Sequence, residues 1–151
     1  MEKPIKPIVV VTRSWTETAQ KAIAERFDAK LNQTDRILSP AEIIEQCDGA
    51  TALCPSGFDV IDEDLISKLP ESVKLIATIS AGTQHINVSA AMQRGIQVSN
   101  TPGVVAEDTA DLVIGLMISV CRRLVDLDGV MRSGNWQGFK VDDPLCGLRV
   151  W

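Results

Sequence analysis

Residues 74–98 read KLIATISAGTQHINVSAAMQRGIQV, and how this stretch is parsed decides the fold. Lys74–Ile79 is an apolar run of the kind found in strands buried on both faces. NVSAAMQRG is a helix that starts at Asn87 and stops at Gly95. Ile96–Val98 is a strand again. A strand, a helix and a strand in such close succession form a parallel crossover unit. Between the first strand and the helix lies Ser80–Asn87, SAGTQHIN, which holds the only histidine of the chain.

The same alternation runs back to the N-terminus. Ile8–Thr12 is a β-branched run and reads as a strand. Thr16–Arg26 reads as a helix capped by Thr16, with Ala19, Ala22 and Ile23 on one side. Phe27–Leu31 is a short strand. Ser39-Pro40 opens a helix carrying Ile43, Ile44 and Cys47, because serine caps well and proline fits a first turn. Gly49–Cys54 is a strand, and Asp62–Leu69 a short helix ending at Pro70. Five alternations predict a flavodoxin-like α/β fold, a parallel sheet with helices on both faces.

Beyond Val98 the pattern changes. Thr101-Pro102-Gly103 is a turn. From Glu107 to Arg132 only Gly115 and Gly129 weaken a helix. Leu112, Leu116, Val120, Leu124, Leu127 and Met131 recur at helical spacing, with acids at the start and arginines later, as the helix dipole favours. A single helix of that length would run roughly 40 Å. It reads as a connector towards a second domain. The residues after Ser133 read as loop, and LRVW, at 148–151, as the opening of another strand.

Composition bounds the function. The net charge of −5 argues against a general nucleic-acid binder, which carries a basic face. None of the four cysteines forms a C-x-x-C pair, and one histidine excludes the usual Cys/His zinc sites. The apolar run before Arg13 is too short for a secretory signal, and LVIGLMISVC is too short to span a bilayer. The expectation is a cytoplasmic protein with reduced thiols and no membrane or nucleic-acid partner.

In open parallel sheets ligands bind beyond the carboxyl ends of the strands, where strand order reverses. With a 2-1-3-4-5 order those ends deliver Thr12-Arg13, Cys54-Pro55-Ser56 and Ser80-Ala81-Gly82, the last two as neighbours. A small-residue turn with a glycine exposes consecutive backbone N–H groups, which suit a carboxylate or phosphate. From the residues alone a plain strand-to-helix turn is the weightier account, with Gly82 there for geometry.

The stretch LIATISAGTQHINVSAAMQRGIQVSNTPGVVAEDTADLVIGLMISVCRR, with MRSGNWQGF further on, resembles the D-isomer-specific 2-hydroxyacid dehydrogenase family, which includes the glyoxylate/hydroxypyruvate reductases. The order of pieces is specific; residues 1–70 carry no sharp motif. The resemblance implies an NAD- or NADP-dependent oxidoreductase acting on small 2-hydroxy or 2-keto acids. It implies that the amides of Ala81 and Gly82, with Ser80 beside them, hold the substrate carboxylate. Cys54 and Pro55 would supply the pocket wall, Thr109 would contact the nicotinamide cofactor, and the connecting helix would form a homodimer. It also implies a substrate-binding domain over 1–101, with 102–151 as the connecting helix and the start of a nucleotide-binding domain.

The sequence departs from the family at Gln84 and Asn87, where an aspartate often stands. Family members are also much longer. Their G-x-G-x-x-G loop follows the strand that LRVW would begin, and their catalytic arginine, glutamate and histidine lie in that later part. The chain is therefore expected to be a truncated or fragmentary enzyme, inactive alone, with no catalytic residue to assign and His85 a helix-start or surface residue. A non-catalytic α/β anion-binding or interaction module is the alternative.

Overall fold

The computed structural model describes residues 5–138. They fall into two compact units, one ending at Gly103 and the other beginning at Val104.

The first unit is a five-stranded parallel sheet of order β2-β1-β3-β4-β5. Its strands are β1 (Ile8–Val11), β2 (Asp28–Leu31), β3 (Ala52–Cys54), β4 (Leu75–Ala77) and β5 (Gln97–Ser99). The helices between them are α1 (Glu17–Arg26), α2 (Pro40–Gln46), α3 (Glu63–Lys68) and α4 (Val88–Gln93). The flavodoxin-like order expected from the alternation is present.

Local chemistry explains where the elements begin. Thr16 Oγ1 accepts from the Ala19 amide at the head of α1. Ser39 and Glu42 form a reciprocal capping box on α2, with Pro40 in its first turn. Asp62 Oδ1 accepts from Leu65 N and Asn87 Oδ1 from Ala90 N, so both short helices start on a side-chain acceptor. Gly49 and Gly95 close turns at positive φ, which glycine adopts without a Cβ penalty.

The main core lies under α2, α3 and α4. Val10, Leu53 and Ile76 from the three central strands meet Ile43, Leu65, Ile66, Ala90 and Ala91 from these helices. Right-handed crossovers put the three helices on one face, because β2→β3→β4→β5 all step in one direction. The β1→β2 step runs the other way and places α1 on the opposite face. α1 buries no residue completely, and Ala22, expected on its packed side, is exposed.

The second unit holds α5 (Ala106–Cys121) and α6 (Leu124–Arg132). The single helix expected from Glu107 to Arg132 is instead two. Arg123 stands in the left-handed region at φ 50°, which ends α5 and starts α6. Near the end of α5 the Ser119 hydroxyl donates back to the Gly115 carbonyl. Arg123 Nε then donates to Asp126 in the first turn of α6 at 2.9 Å. Neither helix has a buried residue, and Leu112, Leu116 and Val120 of the expected apolar stripe are exposed. Trp136 is 48% exposed. The strand expected from LRVW lies outside the described residues, as does Cys146. Among the described residues no helix is long and apolar enough to cross a membrane.

Candidate functional site: a loop of free amides at the strand ends

The carboxyl ends of β1, β3 and β4 converge, as the strand order requires. Thr12 is fully buried at the end of β1. Its hydroxyl donates to Asp59 Oδ2 at 2.6 Å, and its carbonyl accepts from Asn32 Nδ2 at 2.7 Å. Asp59 Oδ2 also accepts from the backbone N–H and the hydroxyl of Ser56, at 2.8 and 2.9 Å. Asn32 thus ties the segment after β2 to the Thr12 carbonyl, and the segments after β1 and β3 are tied through one buried carboxylate. Its other oxygen, Oδ1, is buried without a hydrogen-bond partner.

The loop after β4 docks on this platform. Gly57 lies so close to Ser80 that a Cβ added to it would sit 2.8 Å from the serine Oγ, so the post-β3 and post-β4 loops touch. Ile61 N donates to the His85 carbonyl and Asn87 N to the Ile61 carbonyl, each at 2.8 Å, zipping the far side of the loop to the segment before α3.

The carbonyls of this loop are occupied on its other flank. Thr101 Oγ1 donates to the Ile79 carbonyl at 2.8 Å, Thr101 N to Ser80 at 3.1 Å, and Asn100 Nδ2 to Ala81 at 2.7 Å. Ser80 N donates to the Thr78 hydroxyl at 3.2 Å. The amides of Ala81 and Gly82 have no hydrogen-bond partner among the described residues. Successive free N–H groups beside the held carbonyls of Ile79, Ser80 and Ala81 suit an anion.

The surroundings of the other expected site residues differ from one to the next. Cys54 and Pro55 are both buried beneath the loop region. Burial pushes the Cys54 thiol pKa up to about 11, which keeps it neutral and disfavours it as a nucleophile. Arg13 is committed elsewhere: its Nε donates to Asp35 at 3.0 Å and its guanidinium stacks over Phe58, 5.5 Å from the ring centroid. His85 is half-buried, with Nε2 at 3.1 Å from the Thr78 hydroxyl. Burial lowers its pKa, and the charge of Asp59 opposes the shift. Among the described residues no carboxylate is hydrogen-bonded to its ring, so nothing orients it as an acid/base. Thr109, in the second unit, is exposed in the first turns of α5. Its hydroxyl makes no hydrogen bond among the described residues. Among the described residues no group of three or more His, Cys, Asp or Glu could hold a metal.

Sequence reasoning passed over Asp59, Thr78 and Asn100. Ser56-x-x-Asp59 has the spacing of a side-chain-capped turn and was readable. The roles of Thr78 and Asn100 depend on contacts between chain segments, which spacing does not carry.

Comparison with known proteins identifies the family of the chain. Residues 9–138 match the family model for the D-isomer specific 2-hydroxyacid dehydrogenase, catalytic domain. A glyoxylate reductase of Thermococcus litoralis is 34% identical over 145 residues, covering 95% of this chain and 44% of that protein. The crystal structure of a glyoxylate reductase from Paecilomyces thermophila aligns with a TM-score of 0.74 at 28% identity, over 92% of this chain and 45% of the other. An NADPH-dependent glyoxylate/hydroxypyruvate reductase from Sinorhizobium meliloti, solved with NADP and malonate, aligns with a TM-score of 0.73 at 25% identity, over 93% and 43%. The chain spans less than half the length of these relatives. With the family model matched along most of its length, the chain belongs to the D-isomer specific 2-hydroxyacid dehydrogenase family.

Proposed function

We propose that residues 1–101 form the substrate-binding domain of an NAD(P)-dependent oxidoreductase that acts on the CH–OH group of small D-2-hydroxy acids and reduces the matching 2-keto acids. Residues 102–151 are the connecting helices and the start of its nucleotide-binding domain. The observation that carries this reading is the pair of unpartnered amides at Ala81 and Gly82, set in a loop whose neighbouring carbonyls are held by Asn100 and Thr101. They bind the substrate carboxylate, Ser80 borders it, and Cys54 and Pro55 close the floor. Neutral walls strengthen the amide–carboxylate contact by keeping the local dielectric low.

The residues present fit the nicotinamide cofactor to the extent of one contact, the free hydroxyl of Thr109. When bound, that cofactor supplies or takes the hydride. The chain's own residues hold the acid in place and keep competing charge away from it. The 151 residues contain no G-x-G-x-x-G spacing, so the chain alone is inactive. The apolar residues exposed on α5 and α6 support a homodimer formed through these helices.

The test is a titration of the 151-residue chain with oxalate, a non-reducible 2-keto acid analogue, followed by amide NMR. Ala81 and Gly82 should shift most. Shifts confined to other residues would remove the site. In parallel, NADH oxidation with glyoxylate should stay at background, and sedimentation should report a dimer. Turnover by this chain, or a monomer across concentrations, would refute those two parts separately.

A further inference from the structure

Three carboxamides surround the amide loop, and two of them are spent on the fold. Asn87 Oδ1 caps α4 at the Ala90 amide, and Asn100 Nδ2 holds the Ala81 carbonyl. The third, on Gln84, is exposed and makes no hydrogen bond with either heteroatom among the described residues. Its position is nevertheless specific. A methyl group built on Gly82 would sit 2.2 Å from Gln84 Oε1 and 2.9 Å from both its Cδ and its Nε2. The carboxamide therefore lies directly over the α-carbon of Gly82, whose amide is free.

We propose that Gln84 is the third donor of the carboxylate site, its Nε2 bonding the carboxylate oxygen of a 2-keto or 2-hydroxy acid alongside the amides of Ala81 and Gly82. The inference rests on the anion-binding reading of that loop. Three features carry it. The side chain is within reach, because its end already touches Gly82. It is uncommitted, so turning it costs no hydrogen bond of the fold, and rotation about the last torsion of a glutamine is soft. It is also neutral. An acidic side chain at this position would set a like charge against the ligand, whereas a carboxamide offers two N–H donors. Glycine at 82 leaves room for the carboxamide and for the ligand to approach the backbone.

The experiment uses the 151-residue chain with oxalate as the probe and reads the Gln84 side-chain NH2 signals together with the Ala81 and Gly82 amides. The Gln84 NH2 pair should shift with the same saturation curve as the two backbone amides. Gln84→Ala should weaken oxalate about tenfold, the scale of one hydrogen bond to a charged group. Gln84→Glu, which keeps the shape but adds a negative charge and removes the donor, should weaken it further. An unmoved NH2 pair while both backbone amides shift, or Gln84→Ala binding within twofold of wild type, overturns the Gln84 role and leaves the loop reading standing. Silent backbone amides in the wild-type chain overturn both.

Discussion

The hydroxyl of Thr12 and the carboxylate of Asp59 meet at 2.6 Å in a place closed to solvent. Through this bond the first strand of the sheet is tied to the loop that follows the third. Asp59 Oδ2 accepts two further hydrogen bonds, both from Ser56. The carboxylate thus fixes the floor on which the amide loop rests.

Replacing Asp59 should therefore cost stability well beyond a surface change. Asp59→Ala leaves the two buried Ser56 donors without an acceptor and the Thr12 hydroxyl with only the longer contact to the Cys54 carbonyl, and should cost about 3 kcal/mol. Asp59→Asn keeps one acceptor but loses the charge, and puts an NH2 group where the other oxygen already lacks a partner. About 1–2 kcal/mol is expected. Urea unfolding midpoints at neutral pH measure both. An asparagine variant more stable than the parent would mean that burying the charge outweighs its three hydrogen bonds.

Asn100 makes a different kind of contribution. Its side chain is exposed, and its single bond to the Ala81 carbonyl helps turn the loop's acceptors away from its free amides. Asn100→Ala should lower stability by only about 1 kcal/mol, the usual worth of one such bond. Its effect on anion binding should be larger in proportion, because a released carbonyl can swing towards a bound carboxylate. Calorimetric titration with oxalate, set beside the unfolding midpoint, separates the two. Unchanged affinity would show that the loop holds its shape without this residue.

Much of the fold was legible because each element carries its own signal. The β-branched run of β1, the Ser39-Pro40 start of α2 and the Gly95 stop of α4 are local chemistry, and each reappears in the structure. The break at Arg123 was not legible. No glycine or proline marks it, and an arginine at positive φ runs against residue preference. For the site, Ala81 and Gly82 were readable as a small-residue turn at a strand end. That their amides are free depends on no acceptor from another segment reaching them, and the holding of the nearby carbonyls by Asn100 and Thr101 is likewise a contact between segments that spacing does not carry. The stripe on α5 and α6 was read correctly as apolar, but a pattern does not say what covers it.

Acid should expose the capping box of α2. The pKa of Glu42 is lowered to about 2, chiefly by the Arg36 guanidinium and then by the amide and hydroxyl of Ser39. The folded state therefore holds the ionised form more tightly than the unfolded chain, whose value is 4.5. Its contribution is complete above pH 4.5 and is lost as the pH falls from there towards 2. Glu42→Gln should be less stable than the parent at neutral pH, and the gap should close across that window. Thermal unfolding at a series of pH values tests this. A gap constant with pH would mean that the box acts by shape and not by charge.

The thiols discriminate between a wall and a nucleophile. Cys47 is fully buried and Cys54 nearly so, and burial pushes them up to about 12 and about 11. Both are neutral at any physiological pH, and no base is hydrogen-bonded to either among the described residues. Cys121, at the last residue of α5, is half-buried. Iodoacetamide at pH 8, with peptide mapping by mass spectrometry, should label Cys121 in the native chain. Cys47 and Cys54 should be spared until denaturant is added, because alkylation needs the thiolate and access together. Oxalate should leave the Cys54 rate at zero and not merely slow it. Native labelling of Cys54 as fast as Cys121, suppressed by oxalate, would instead place an open and ionised thiol in the anion site, and the neutral floor proposed for it would have to be given up.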